Sequence, residues 1–509
     1  MQAPYFIKLL SAQPYSRPSP LLIDLVTFVA GALLPLAFAP CNIYIIAFMS
    51  PLAWLISLQD SSIARAIWRG WLFGFGFFLI GISWIYISIH VYGNTASAVA
   101  ALLTLIFIAA IALLFALQAS CFVYLFNKKH WLAPTIGFAC TWVLGEILRS
   151  WIFTGLPWLL LGNSQLHTWL HGYAPIISVY GISFLVACTS GLLCNALRGL
   201  KHFICSLIAI VIIFVGGFIL AQIHWTKPSS KPLKVSLIQG NIPQAVKWDP
   251  QLVSLSLQRY QKLTQQSWDS QLIVFPEGAI PDIFSAQYDF FAQLDYQAKQ
   301  HHNTLVSGVI MVSAKTHRAY NAIITLGNNK GTYLKRHLVP FGEYVPYQHL
   351  LRGFVGLFNL PMSNLSAGPR QQPLLHIGNI PVAGFLCYEI AYLNLMLPSL
   401  PQAQLLMTLS DDSWFEHSWA AAQQLQISQM RSLEAGRAQI VVSNSGLTAI
   451  INAQGNIVKQ APRDKIFILR GSVQPMQGAT PLARFGWMIE FIVLMLLTLI
   501  CWFVVQQKT

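Results

Sequence analysis

The chain has 509 residues, of which 55% are hydrophobic and only 9% charged, with a formal net charge of +14. Soluble globular domains carry about 25% charged residues, so this composition excludes a chain that faces water along its whole length. Basicity without a basic stripe or a nucleic-acid motif argues against a nucleic-acid partner and fits a membrane protein drawn to anionic headgroups.

From the amino terminus, residues 1–20 hold four prolines, and the apolar run that follows carries Asp24 with no small-residue cleavage site behind it. A retained anchor is expected there rather than a cleaved signal peptide. Spanning a bilayer takes about 20 apolar residues. Runs centred on 21–39, 43–59, 68–90, 97–127, 131–149, 174–197 and 203–223 predict seven spans before residue 225, and 487–505 predicts an eighth. The second is short and contains Pro51; the fourth is overlong. Asp24 and Glu146 lie inside apolar runs, where each is expected to be paired within the bundle.

Loop charge orients the bundle. Lys8 and Arg17, Arg65 and Arg69, Lys128 and Lys129, Arg198 and Lys201, and Lys508 fall in alternate connections, and the intervening loops hold no Lys or Arg except Arg149 at an edge. Positive charge collects on the cytoplasmic side. Both termini are therefore predicted cytoplasmic and residues 226–485 extracytoplasmic, giving a membrane domain over 1–225, a catalytic domain over 226–485, and a final helix with a short tail over 486–509.

The character changes after the polar linker Lys227–Pro232. Short apolar runs at 235–239, 272–275, 305–311, 322–326, 382–386, 405–409, 440–444 and 448–452 have strand length and composition. Segments 251–266, 287–300 and 417–434 between them have helix length. Strands alternating with helices predict a layered α/β domain.

Of eight cysteines, only Cys387 lies in this domain; the others lie in or beside apolar spans. A thiol with no local disulfide partner in an oxidising compartment is either a small buried hydrophobe or a used group. Cys387 ends the strand VAGFL, Glu277 follows LIVF-Pro276, and Lys335 follows GTYL. Thiol, carboxylate and ammonium at strand ends can converge in a layered sheet as nucleophile, base and electrostatic stabiliser. His301 and His302 are adjacent and no HExxH occurs, so neither a metal nor another cofactor is expected. Arg437 is expected to pair with a carboxylate or, as the alternative, to bind a headgroup.

The segments QGNIPQAVKWDP (239–250), LIVFPEGAIPD (272–282), YLKRHLVPFGEYVP (333–346), GFLCYEI (384–390), SDDSWF (410–415) and NSGLTAI (444–450), with PLAFAP (35–40) and TGLPWLLLGNSQ (154–165), resemble the nitrilase (carbon–nitrogen hydrolase) superfamily and, within it, the apolipoprotein N-acyltransferases. The resemblance implies an αββα sandwich beside eight transmembrane helices. It implies a triad of Glu277, Lys335 and Cys387, supporting roles for Glu343, Tyr388 and Glu389, and a mobile aromatic at Trp248. It also implies transfer of an acyl chain from a phospholipid, through a thioester on Cys387, to the α-amino group of the diacylglyceryl-cysteine of an apolipoprotein. The location implied is a bacterial inner membrane, with the catalytic domain periplasmic and the enzyme a monomer. Asp411 and Ser445 depart from the family pattern. The apolar, Gly/Pro-punctuated segment 353–369 reads as a loop admitting acyl chains. The competing readings are a membrane-anchored amidase or nitrilase-type hydrolase, and a transporter with a soluble appendage; the latter lacks paired broken helices.

Overall fold

Ser19 opens the first helix: its side chain accepts from the Leu22 amide, and Pro20 occupies the first turn, where a missing N–H costs nothing. A computed structural model describes residues 19–126, 130–243, 247, 253–346 and 364–507. Trp248 and most of the 353–369 segment lie outside the described residues.

The apolar helices are α1 (Pro20–Leu33), α2 (Ile46–Leu58), α3 (Ile63–Gly81), α4 (Ser97–Phe126), α5 (Phe138–Arg149), α6 (Ala174–Ala196), α7 (Leu200–Ala221) and, at the far end of the chain, α11 (Trp487–Gln507). Among the described residues, six helical stretches are long and apolar enough to cross a membrane: Pro20–Ala37, Ile63–Gly81, Ser97–Phe126, Trp169–Ala196, Leu200–Ala221 and Trp487–Gln507. The run at 43–59 folds only as the 13-residue α2, with Pro51 inside it. The run at 131–149 begins as a π-turn at Ala133–Gly137, around Pro134, before α5. The run expected over 68–90 starts earlier and ends at Gly81, beyond which the chain breaks into short turns.

Small residues let these helices approach closely. A Cβ on Gly31 would lie 2.1 Å from the Phe73 carbonyl oxygen, so α1 and α3 can touch only because that side chain is absent. Asp24 is paired as expected: its carboxylate accepts from Arg69 Nε at 2.9 Å, Arg65 Nη1 at 3.2 Å and Trp68 Nε1 at 3.2 Å. Glu146 accepts from the Leu161 amide at 2.7 Å and Trp142 Nε1 at 3.0 Å.

The remaining chain forms two six-stranded sheets. One has the order β13-β2-β3-β4-β5-β6, built from β2 (Leu233–Gln239), β3 (Leu272–Val274), β4 (Thr304–Val312), β5 (Ala319–Gly327), β6 (Gly331–Leu334) and β13 (Phe467–Val473). The other has the order β12-β11-β10-β9-β8-β7, from β7 (Leu375–Ile377), β8 (Ile380–Leu386), β9 (Leu405–Ser410), β10 (Gln439–Ser443), β11 (Ala449–Ile451) and β12 (Ile457–Gln460). A small antiparallel pair, β1 (Thr226–Pro228) with β14 (Met476–Gly478), ties the entry of this unit to its exit.

Period-two alternation decides what each strand buries. Val235, Leu237, Leu272 and Val274 meet Val382, Leu386, Leu405, Met407 and Ile440 in one core between the sheets. Ile238 and Ile273 face the opposite way and pack with Tyr260 of α8 (Val253–Gln265) and Phe291 of α9 (Tyr288–Gln300). On the other side, Ala383, Phe385 and Leu406 pack with Ala435 of α10 (Ala420–Ala435). The result is helix, sheet, sheet, helix.

The sandwich rests on one end of the bundle through α10. Gln423 accepts from the indoles of Trp158 at 2.6 Å and Trp84 at 3.2 Å, and donates to the Gly81 carbonyl at 3.2 Å. Gln426 accepts from the Ala39 amide at 3.1 Å and donates to Asn42 at 3.2 Å. The Glu434 carboxylate accepts from the Val179 amide at 2.7 Å, next to a kink in α6 at Ile177–Ser178. Arg437 corrects its expectation. Among the described residues its buried guanidinium meets no carboxylate and instead donates to the carbonyls of Ala403, Pro401 and Gly478.

Candidate functional site

β2, β3 and β4 run parallel, as do β8, β9 and β10, so each group of strands delivers its carboxyl ends together. Glu277 stands three residues beyond β3. Its backbone presses on β4 at Gly308, where a Cβ would come 2.6 Å from the Glu277 Cα, so glycine is required there. Lys335 follows β6 directly, and its amide bonds to the Asn321 carbonyl of β5 at 2.8 Å. Cys387 follows β8 in the left-handed region, φ +54°, a conformation that costs a non-glycine residue about 1–2 kcal/mol. That elbow turns the thiol off the end of the strand.

The structure brings the acid and the amine together. Lys335 Nζ lies 2.8 Å from Glu343 Oε1 and 3.3 Å from Glu277 Oε1, and it is 1% exposed. Asn321 bridges the two acids, donating through Nδ2 to Glu277 Oε1 at 2.6 Å and to Glu343 Oε1 at 2.9 Å. Glu343 Oε2 accepts from the Val339 amide at 2.8 Å, which fixes the second carboxylate from behind. The Cys387 thiol is buried within the field of both Glu277 and Lys335.

Glu389 locks the two halves of the site to each other. Its fully buried carboxylate accepts from Arg336 N at 2.7 Å, His337 N at 3.0 Å, Tyr333 Oη at 2.8 Å and Leu386 N at 2.9 Å. The chain beyond Lys335 is thereby held against the chain before Cys387. The Tyr388 hydroxyl donates to the Leu338 carbonyl at 2.6 Å, and its ring centroid lies 5.8 Å from Lys335 Nζ, within cation–π range. Tyr392, one turn on, donates to the Gly155 carbonyl at 2.7 Å in the loop after α5, so the Cys387 end of β8 lies against the bundle.

The charges have definite consequences. Burial pushes the Glu277 carboxyl up; Lys335 opposes that push and Glu343 reinforces it. Burial also works against charge on Lys335, but Glu277 and Glu343 outweigh it and hold the ammonium well above the usual lysine range. Burial, with Glu277 second, raises the Cys387 thiol against the pull of Lys335. At rest the sulfur carries its proton, and a nearby acceptor is needed to remove it. Thiol, carboxyl and fixed cation together are the set that covalent acyl transfer uses.

Asn321 and Lys247 were not legible as site residues. Asn321 is, with Thr325, one of two buried polar residues in a strand that otherwise reads as apolar core. Lys247 is buried and paired with Asp411 just beyond β9. Asp411 therefore has a cationic partner in this chain.

A two-sheet αββα sandwich with these strand-end groups, docked on an apolar helix bundle, defines a membrane-attached member of the carbon–nitrogen hydrolase class. The carbon–nitrogen hydrolase family matches residues 234–478, and the apolipoprotein N-acyltransferase N-terminal domain matches residues 30–192. The apolipoprotein N-acyltransferase of Coxiella burnetii is 44% identical over 469 residues, covering 91% of this chain and 96% of that protein. Those of Azotobacter vinelandii and Pseudomonas syringae pv. tomato are each 40% identical, covering 93% of this chain and 94% and 95% of theirs. The chain belongs to the apolipoprotein N-acyltransferase family.

Proposed function

We propose that this protein transfers an acyl chain from a phospholipid to the α-amino group of a diacylglyceryl-cysteine at the start of an apolipoprotein, by way of a thioester on Cys387. The observation that carries this reading is the single buried thiol on a strained elbow, under the influence of a carboxyl and a fixed ammonium, on the face of the sandwich that meets the bundle.

In the first half-reaction Glu277 takes the Cys387 proton and the thiolate attacks the ester carbonyl. Lys335 has three N–H groups, two of them directed at Glu277 and Glu343, and stabilises the oxyanion; a donor of this kind contributes about 3 kcal/mol. The C–O bond breaks, the departing lysophospholipid oxygen takes the proton from Glu277, and the thioester remains. In the second half the amine attacks the thioester, Glu277 accepts a proton from the nitrogen, and the C–S bond breaks. The same proton returns to the sulfur. Glu343 and Asn321 hold Lys335 and Glu277, Glu389 holds the two strand ends, and Tyr388 packs beside the ammonium. Ping-pong kinetics follow from the covalent intermediate.

The same reading places the enzyme, as a monomer, in a bacterial inner membrane, with residues 1–225 and 486–509 as the membrane part and 226–485 as a periplasmic catalytic domain. Eight crossings result if α2, and the π-turn with α5, accompany the six longer stretches. Loop charge supports this orientation. The segments that touch the sandwich, around Ala39–Asn42, Trp84–Tyr92 and Thr154–Trp158, hold no Lys or Arg, whereas Arg65 and Arg69 gather on Asp24.

The test is incubation of the purified protein in phospholipid micelles with a synthetic diacylglyceryl lipopeptide, followed by mass spectrometry of the peptide. A mass gain of one acyl chain on the amino terminus is expected. Release of free fatty acid with an unmodified peptide would replace this reading with a hydrolase.

A further inference from the structure

The turn that carries the nucleophile is held from behind as well as from in front. Cys387–Ala391 is a single short helical turn, entered at Cys387 with φ +54° and closed by Tyr392, whose amide bonds to the Glu389 carbonyl at 3.0 Å. The last carbonyls of a helical turn have no partner within it. Here Arg431 of α10 meets two of them: its Nε donates to the Ile390 carbonyl at 3.2 Å and its Nη2 to the Ala391 carbonyl at 3.3 Å. The remaining nitrogen, Nη1, donates to the Glu434 carboxylate one turn along the same helix, and both side chains are fully buried. Glu434 in turn accepts from the Val179 amide at 2.7 Å, directly after Ser178, which sits at φ +50° in the kink of α6. One ion pair therefore joins two non-glycine residues at positive φ, one in the bundle and one bearing the thiol.

Resting on the acyl-transfer reading above, we propose that Arg431 is a positioning residue for Cys387: through the Ile390 and Ala391 carbonyls it fixes the height of the elbow over the bundle, with Glu434 as its anchor. A strained φ persists only where its surroundings over-determine it. Glu389 supplies one side of that restraint, accepting from the Leu386 amide just before the elbow. Arg431 supplies the other side, just after it. Stability alone does not call for a guanidinium here, since replacing a buried ion pair by apolar groups of similar size is often neutral. An apolar side chain could not donate at a fixed angle to two successive carbonyls. The planar guanidinium does so while a carboxylate holds its remaining edge. Acyl transfer needs the sulfur within about 3–3.5 Å of the carbonyl carbon, and a misplacement of about 1 Å can cost about 100-fold in rate.

The test separates rate from affinity and from stability. The Arg431→Met/Glu434→Gln double variant removes both charges together, so neither is left buried and unpaired, and the new amide can still accept from Val179. Cys387 acylation by phospholipid alone is followed in single turnovers by intact mass and normalised to folded protein. The maximal rate is expected to fall by about 10- to 100-fold, while the phospholipid concentration giving half that rate stays at the wild-type value. Arg431→Lys keeps a charge against Glu434 but lacks the planar fork. It should unfold near the wild-type temperature and still acylate about three- to tenfold more slowly, a separation of rate from stability that a merely structural arginine would not produce. A wild-type maximal rate in either folded variant overturns the proposal, as does a loss confined to the half-saturating concentration; if the double variant does not fold, Arg431→Lys alone decides. If the wild-type protein takes no acyl group on Cys387, the underlying acyl-transfer reading fails instead.

Discussion

Two buried charge clusters in this molecule contrast sharply. In the bundle, the single carboxylate of Asp24 faces two guanidiniums and an indole, and both of its oxygens are bonded. In the sandwich, two carboxylates and a thiol share the one ammonium of Lys335. The first cluster has cations to spare, and nothing in it needs to move. In the second, acids outnumber the cation, so burial and the neighbouring Glu343 push Glu277 towards holding a proton. Imbalance is what turns a buried ion pair into a group that can accept and return a proton.

The contrast can be broken or sharpened by substitution. Cys387→Ala should abolish turnover and the covalent acyl adduct while leaving the fold intact, as checked by intact mass and thermal unfolding. Arg69→Met should leave Asp24 partly unpaired inside the bundle and cost about 3–5 kcal/mol of stability, seen as a lower unfolding temperature in detergent. Acylation per folded molecule should be unchanged. Lys335→Met should slow Cys387 acylation per folded molecule by about 100- to 1,000-fold, on the order of 3 kcal/mol, and, because it leaves Glu277 and Glu343 without their ammonium, should also lower the unfolding temperature. The smallest effect is expected of Tyr388→Phe, which loses the bond to the Leu338 carbonyl and slows acylation by a few-fold, consistent with about 1 kcal/mol for one neutral hydrogen bond. If Arg69→Met slows chemistry per folded molecule, or Lys335→Met leaves acylation per folded molecule unchanged, the division between a structural and a chemical cluster fails.

Much of this was legible beforehand because of how the strands end. Leu272–Val274, Thr304–Val312, Ile380–Leu386, Leu405–Ser410 and Gln439–Ser443 are buried on both faces, so they read as continuous apolar runs with sharp boundaries, and Glu277 and Cys387 stand just beyond two of them. The outer strands were harder. Leu375–Ile377, Ile457–Gln460 and Phe467–Val473 are short or partly exposed and carry mixed composition, so tertiary pairing rather than local pattern sets them. The membrane runs were overread in length where Pro51, Pro134 and the turns after Gly81 interrupt apolar sequence without changing its hydropathy. Asn321 and the Lys247–Asp411 pair acquire meaning only from residues distant in the chain. Arg437 misled because a guanidinium can be satisfied by backbone carbonyls as fully as by a carboxylate.

The central claim is that Cys387 carries the acyl chain between donor and acceptor. Intact-mass spectrometry of the protein after exposure to phospholipid alone tests it most directly. The expected result is a single added acyl mass, localised to Cys387 and discharged when a diacylglyceryl lipopeptide is added. An unmodified Cys387 under conditions in which the lipopeptide is nevertheless acylated would contradict it.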